Sequence, residues 1–179
     1  MQAQDILYFW FDELSDQQRF AKDEALDASM CERFGATLQA AARGELFGWR
    51  ATPLGRLAEI VLLDQFSRNI YRDMPAAFAQ DPQALTLAQE LVASGQDQTL
   101  PLAQRTFAYM PYMHSESLLI HAQAAQLFAQ PGMEGTLFFE NKHQAIIARF
   151  GRYPHRNAIL GRVSTPEEQA FLTQPGSSF

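Results

Sequence analysis

The stretch Asp23-Glu24-Ala25-Leu26-Asp27-Ala28-Ser29-Met30-Cys31-Glu32-Arg33-Phe34-Gly35-Ala36-Thr37-Leu38-Gln39-Ala40-Ala41-Ala42-Arg43-Gly44 decides the fold class. Leu26, Met30, Phe34, Leu38 and Ala41 recur in steps of three and four, the spacing that lines one face of an α-helix. Gly44 is a natural stop, because glycine enters the left-handed conformation without a Cβ penalty. The pattern repeats along the chain. Thr52-Pro53 reads as an N-cap with proline in the first turn, opening a helix through Leu57, Ile60, Val61, Leu63, Phe66 and Ile70. Asp81-Pro82 opens another, stopped by Gly95. A further helix over Leu100 to Met110 ends at Pro111. Ser115 or a near neighbour caps a helix through Leu118, Leu119, Ala122, Ala125 and Leu127. Phe138 to Phe150 makes the next, closed by Gly151, and Thr165-Pro166-Glu167-Glu168 is a capping box.

No run alternates with period two between hairpin turns. No Pro- or Ser-rich linker divides the 179 residues, a length suited to one domain. The sequence therefore predicts a single all-α domain over residues 1–179, built from stacked antiparallel helical hairpins. Hydrophobic residues make up 47% and charged residues 19%, which excludes intrinsic disorder. The longest apolar run, Ile6 to Phe11, is far short of the ~20 residues a bilayer demands. No Lys or Arg precedes it and Asp5 stands beside it, which does not fit a signal peptide. These features predict a cytoplasmic protein with no membrane partner.

Charge is unevenly spread. The chain carries a net charge of -6, yet residues 141–179 hold five bases and two acids. No acid lies between Asn141 and Pro166, while Lys142, Arg149, Arg152, Arg156 and Arg162 do. An acidic body disfavours nucleic acid, whose phosphates require a broad basic surface. The basic stretch predicts either a local anion site or an inner partner for acids elsewhere.

Three polar clusters interrupt the apolar helices. In the first, Asp64 and Arg68 are four apart and share a helix face, with Arg72 one turn further. They read either as an ion pair between helices or as the wall of an anion pocket. In the second, Tyr112-Met113-His114-Ser115-Glu116 sets a histidine at the predicted helix start, where the dipole opposes protonation, and an acid able to take an Arg. In the third, Arg149, Arg152, His155 and Arg156 gather positive charge around Gly151 and Pro154. That loop is either pinned by Glu116 and Asp64 or forms an anion or carboxylate clamp.

Metal binding is not indicated. His114 and His121 are seven residues apart, about 10 Å along a helix, too far to share a zinc that holds nitrogens at about 2 Å. A lone cysteine, Cys31, reads as a packed, inert thiol. No Gly-rich phosphate loop occurs, so no cofactor is implied.

The four segments Leu63–Arg72, Pro111–Glu116, Arg149–Asn157 and Leu160–Glu168 resemble a family of bacterial proteins, the domain-of-unknown-function family numbered 924. The likeness runs from Phe9-Trp10-Phe11 to Gly176-Ser177-Ser178-Phe179. It implies an all-α, tetratricopeptide-like fold with hairpins stacked in a right-handed superhelix. It implies no activity. Val163 stands where an acid is expected, which removes one neighbour of Arg162.

The functional expectation is a module that binds an anionic small molecule or a peptide carboxylate. Arg68, Arg72, Arg149, Arg152 and Arg156 would hold the anion, Tyr112, His114 and His155 would orient it, and Asp64 and Glu116 would position the arginines. One alternative is a hydrolase or transferase using His114 or His155 as general base in the same pocket. The other is a scaffold whose three clusters close as salt-bridge networks.

Overall fold

In a computed structural model, residues 1–178 are described. Among them the regular elements are all helical. They gather into two compact units. Unit 1 comprises Met1–Arg72 and Ala76–Pro111, and unit 2 comprises Asp73–Pro75 and Tyr112–Phe179.

Unit 1 opens with α1 (Ala3–Tyr8), which widens without a break into a π turn at Phe9–Glu13. Ser15 caps α2 (Asp16–Phe20) through a capping box with Gln18. The diagnostic stretch forms α3 (Glu24–Ala42), with the Asp23 carboxylate accepting from the Ala25 and Leu26 amides. Its Met30, Phe34, Leu38 and Ala41 are buried, as the spacing predicts. Thr52 caps α4 (Pro53–Val61) by accepting from the Gly55 amide at 3.1 Å. Helix α4 continues through a second π turn, Leu62–Phe66, into α5 (Ser67–Ile70), the junction residues keeping right-handed helical angles.

This rod is the core of unit 1. Leu57, Ala58, Ile60, Val61, Leu62, Leu63 and Phe66 are all buried. The two π turns meet at their aromatic residues: Phe66 lies 5.7 Å from Phe9 and 5.5 Å from Trp10, and Phe34 of α3 lies 5.1 Å from Phe66. Tilted and edge-on rings at these separations add to area burial. Helix α6 (Asp81–Ala93) packs on α4, and Gly95, with φ of 69°, turns the chain toward α7 (Leu102–Met113).

Two features differ from the sequence reading. Pro111 lies inside α7, so the helix runs on through Tyr112 and Met113. Proline removes one backbone donor, yet two further residues remain helical. Cys31 is exposed on α3. The buried face is set by Met30 and Phe34, and Cys31 falls one step away from it, so neighbouring a core residue did not bring it inside.

Unit 2 contains α8 (Leu118–Phe128), α9 (Glu134–Phe150) and α10 (Pro166–Leu172). Helices α8 and α9 pack on one another across a short connection, an antiparallel hairpin. Helix α9 ends on Gly151 at φ 68°. A 3₁₀ turn, Pro154–Arg156, follows. The Thr165–Glu168 capping box then starts α10. Ile146, Ile147 and Tyr153 are buried together, with Phe150 and Phe171 against them. The cap of α8 is Ser117 rather than Ser115, and its hydroxyl makes no capping bond. Among the described residues, no helix is long and apolar enough to cross a membrane.

Candidate functional site

The second and third sequence clusters meet inside unit 2, at the link between Met113 and Leu118. Glu116 is the hub. Its carboxylate takes Arg162 Nη1 on Oε2 at 2.6 Å and Nη2 on Oε1 at 2.9 Å. Oε1 also accepts from the Tyr153 amide at 2.8 Å. Burial alone would raise this carboxyl, but the Arg162 guanidinium, the Tyr153 amide and the charge of Arg156 outweigh it and hold the group below the ordinary range. Arg162 further donates to the Asn157 amide oxygen at 2.9 Å and to the Tyr153 carbonyl at 3.1 Å. Of the two acids that one sequence reading named for this loop, Glu116 pins it, while Asp64 lies in unit 1, where it pairs with Arg68.

Tyr153 is the centre of a ring cluster. Its hydroxyl donates to the Met113 carbonyl at 2.5 Å and stands 3.1 Å from His121 Nε2. The His121, His143 and His155 rings lie 6.2, 5.7 and 5.5 Å from its own. The Arg156 guanidinium covers the tyrosine at 4.6 Å and donates to the His114 carbonyl at 2.9 Å. Arg156 is almost wholly buried. His143 is pushed down to about 3, first by burial and then, against the bond to the Phe139 carbonyl, by the nearby charges of His114, His121 and His155. All four histidines of the chain therefore share this neighbourhood. His121 and His143 are buried, while His114 and His155 are half-buried.

His114 follows the C-terminal end of α7 instead of starting a helix. The dipole argument from the sequence therefore does not apply to it: a helix C-terminus favours positive charge. Tyr112 is buried on the last turn of α7.

The sequence reading missed His121 and Glu140, which pair through Nδ1 and Oε1 at 2.7 Å with both side chains fully buried. The signal was present. His121 falls in register with Ala124 and Phe128 on α8, and Glu140 with His143 and Ile147 on α9, so each is a polar residue placed on a buried stripe.

The other arginines of the three sequence clusters face carboxylates. Arg152 reaches Glu168 through Nε at 2.6 Å and Nη2 at 2.8 Å. That guanidinium, with the Thr165 amide and the Asn157 side chain, outweighs burial and draws the Glu168 carboxyl down to about 2. Arg149 bonds Glu167 at 2.9 Å on the surface.

In unit 1, Arg68 forks onto Asp81 at 3.0 Å through both Nη atoms and meets Asp64 at 3.1 Å. Its Nη1 also takes the Asp64 carbonyl at 2.8 Å, inside the π turn. Arg72 forks onto Asp27, through Nε at 2.5 Å and Nη2 at 2.9 Å, where Asn69 also donates at 2.9 Å. Asp64 thus positions Arg68, and Glu116 positions Arg162 rather than the arginines assigned to it. Among the described residues, no group of three or more His, Cys, Asp or Glu side chains is placed to hold a metal ion.

Comparison with known proteins agrees with this architecture and gives no activity. A solved structure of a protein of unknown function from Agrobacterium tumefaciens is similar to the chain at 39% identity, with a TM-score of 0.90 over 95% of this chain and 96% of that one. No curated protein matches. The family model described as "Bacterial protein of unknown function (DUF924)" matches residues 6–176. An all-helical chain with these motifs and this match belongs to the DUF924 family of bacterial proteins.

Proposed function

We propose that unit 2 binds an anion, a carboxylate or phosphate of a small molecule or peptide, at the half-buried imidazoles of His114 and His155 beside Arg156. The observation that carries this reading is the convergence of the His121, His143 and His155 rings and the Arg156 guanidinium on one tyrosine, with Arg156 also bonded to the His114 carbonyl and the His114 charge felt at His143. The segment that supplies most of them, residues 141–179, has an excess of base over acid. Imidazole N–H and guanidinium groups fixed in this way offer several donors to one oxyanion with little rotamer entropy to lose. Arg152 and Arg162 act as supports, because each spends its fork on a carboxylate.

Arg68 and Arg72 fall outside the proposed site. Asp27, Asp64 and Asp81 outnumber them, and that group has no surplus positive charge to offer an anion. An enzymatic version of the site would use His114 or His155. His121 is excluded, since it is fully buried and both of its ring nitrogens are engaged.

Calorimetric titration with inorganic phosphate and with citrate tests the reading. Saturable binding by the wild type, lost in a His114→Ala/His155→Ala double variant that keeps its helical circular dichroism, is the expected result. No heat of binding from either anion returns the clusters to the scaffold reading, which rests on the carboxylates facing Arg68, Arg72, Arg149, Arg152 and Arg162.

A further inference from the structure

We propose that Glu140 and His121 share one proton inside unit 2 as a neutral carboxylic acid and a neutral imidazole, and that this proton is the latch holding the 113–116 link to the α8–α9 hairpin. The hydrogen-bond partners fix the tautomer. His121 Nε2 faces the Ser115 carbonyl at 2.9 Å, an atom that only accepts. It also faces the Tyr153 hydroxyl, whose own proton is committed to the Met113 carbonyl. Nε2 must therefore carry a hydrogen. A single proton then lies between Nδ1 and Glu140 Oε1 across 2.7 Å. It belongs either to the carboxyl, giving a neutral pair, or to the imidazole, giving an ion pair.

The surroundings decide in favour of the neutral pair. Glu140 Oε2 is buried and has no hydrogen-bond partner. In the ion pair that oxygen would carry half a negative charge with no donor, in a site where both side chains are fully buried. In the neutral pair it is a carbonyl oxygen, whose desolvation costs much less.

Six titratable or charged groups gather with the pair in this cluster: His143 on α9, His114 and Glu116 on the link, Tyr153 just before the 3₁₀ turn, and His155 and Arg156 within it. Glu116 and Arg162 neutralise one another. Arg156 is turned to the His114 carbonyl and the Tyr153 ring. Burial keeps His143 neutral down to about 3, so it lends no charge to a Glu140 anion. Burial also raises the Glu140 carboxyl despite its bond to His121, in agreement with the geometry.

The latch follows from the connectivity. Ser115 and Met113 give their carbonyls to His121 and Tyr153, and His121 is held in place by Glu140. A carboxyl whose folded-state value is raised stabilises the fold fully at acid pH, and that stability is lost as pH rises through the folded value. Alkaline pH should therefore loosen the link.

Glu140→Gln tests this directly, because glutamine copies the protonated acid: its amide donates to Nδ1 and its carbonyl replaces Oε2. The variant should melt with the wild type near pH 6 and above it near pH 9. A variant melting well below the wild type at both values overturns the proposal, because an ion pair would then have been lost. Nitrogen-15 spectra of the wild-type imidazoles test it without any substitution. His121 should show the neutral Nε2–H tautomer near pH 6, and an imidazolium pattern there contradicts the neutral pair. Phosphate binding plays no part in either measurement, so the latch and the proposed anion site can fail separately.

Discussion

Arg162 closes on Glu116 with both arms of its guanidinium, 46 residues apart in sequence, at 2.6 and 2.9 Å. This one pair joins the link after α7 to the loop before α10. Each residue keeps about a quarter of its side chain in solvent, so screening limits its worth. Arg162→Met and Glu116→Gln should each cost about 1–2 kcal/mol, and a double-mutant cycle should return a coupling of ~1 kcal/mol. The Glu116 carboxyl is held below its ordinary value, so its stabilisation is present at neutral pH and fades as pH falls through the folded value. Urea midpoints across the acid range should show that loss in the wild type and a smaller one in Arg162→Met.

Arg68 stands in a different balance, because Asp64 is almost completely removed from water. Removing the guanidinium takes the paired cation from a buried carboxylate, which keeps the neutral Gln65 amide as a donor. Arg68→Met should destabilise by roughly 3 kcal/mol, and adding Asp64→Asn should recover part of that loss. Chemical denaturation of the two variants checks the order. A cost below ~0.5 kcal/mol for Arg68→Met, of the size seen for exposed pairs, would contradict it.

Two glycines give opposite expectations. A Cβ on Gly55 would stand 2.0 Å from the Trp49 carbonyl oxygen and 2.8 Å from its carbon, both backbone atoms, so α4 could not keep its approach to the preceding turn. A Cβ on Gly35, in the middle of α3, would meet only Cys31 Sγ at an ordinary 3.8 Å. Thermal melts should show Gly55→Ala destabilised by ~2 kcal/mol or more, and Gly35→Ala stabilised by ~0.5–1 kcal/mol.

His143 remains neutral to about 3 in the fold, against 6.5 for a free imidazole. The unfolded chain takes up that proton first, so stability is full above about 6.5 and falls as pH drops toward about 3. His143→Leu should flatten the stability profile across that interval. Parallel profiles for variant and wild type would place the proton elsewhere.

The helices were legible wherever a local signal was sufficient: the Thr52 and Thr165 caps, the stop at Gly151, and the buried stripe of α3. The π turns at Phe9–Glu13 and Leu62–Phe66 were not, because one extra residue per turn leaves no mark on an already apolar run. Pro111 reads as a terminator from the rule for isolated helices, yet α7 continues to Met113. The Asp64–Arg68 contact followed from i,i+4 spacing. Asp81 and Asp27, the partners that complete the two arginine sites, are 13 and 45 residues away in sequence and only folding reveals them. Glu140 and His121 could each be read as a polar residue on a buried stripe, but no motif connects them and only folding reveals that they pair.

The anion site is tested most directly by following phosphate titration through the ring signals of the four histidines and the side-chain Nε of each arginine. The account predicts saturable shifts at His114, His155 and Arg156, with the Arg68 and Arg72 signals unmoved. Stationary His114 and His155 signals, or shifts of equal size at Arg68 and Arg72, would contradict it.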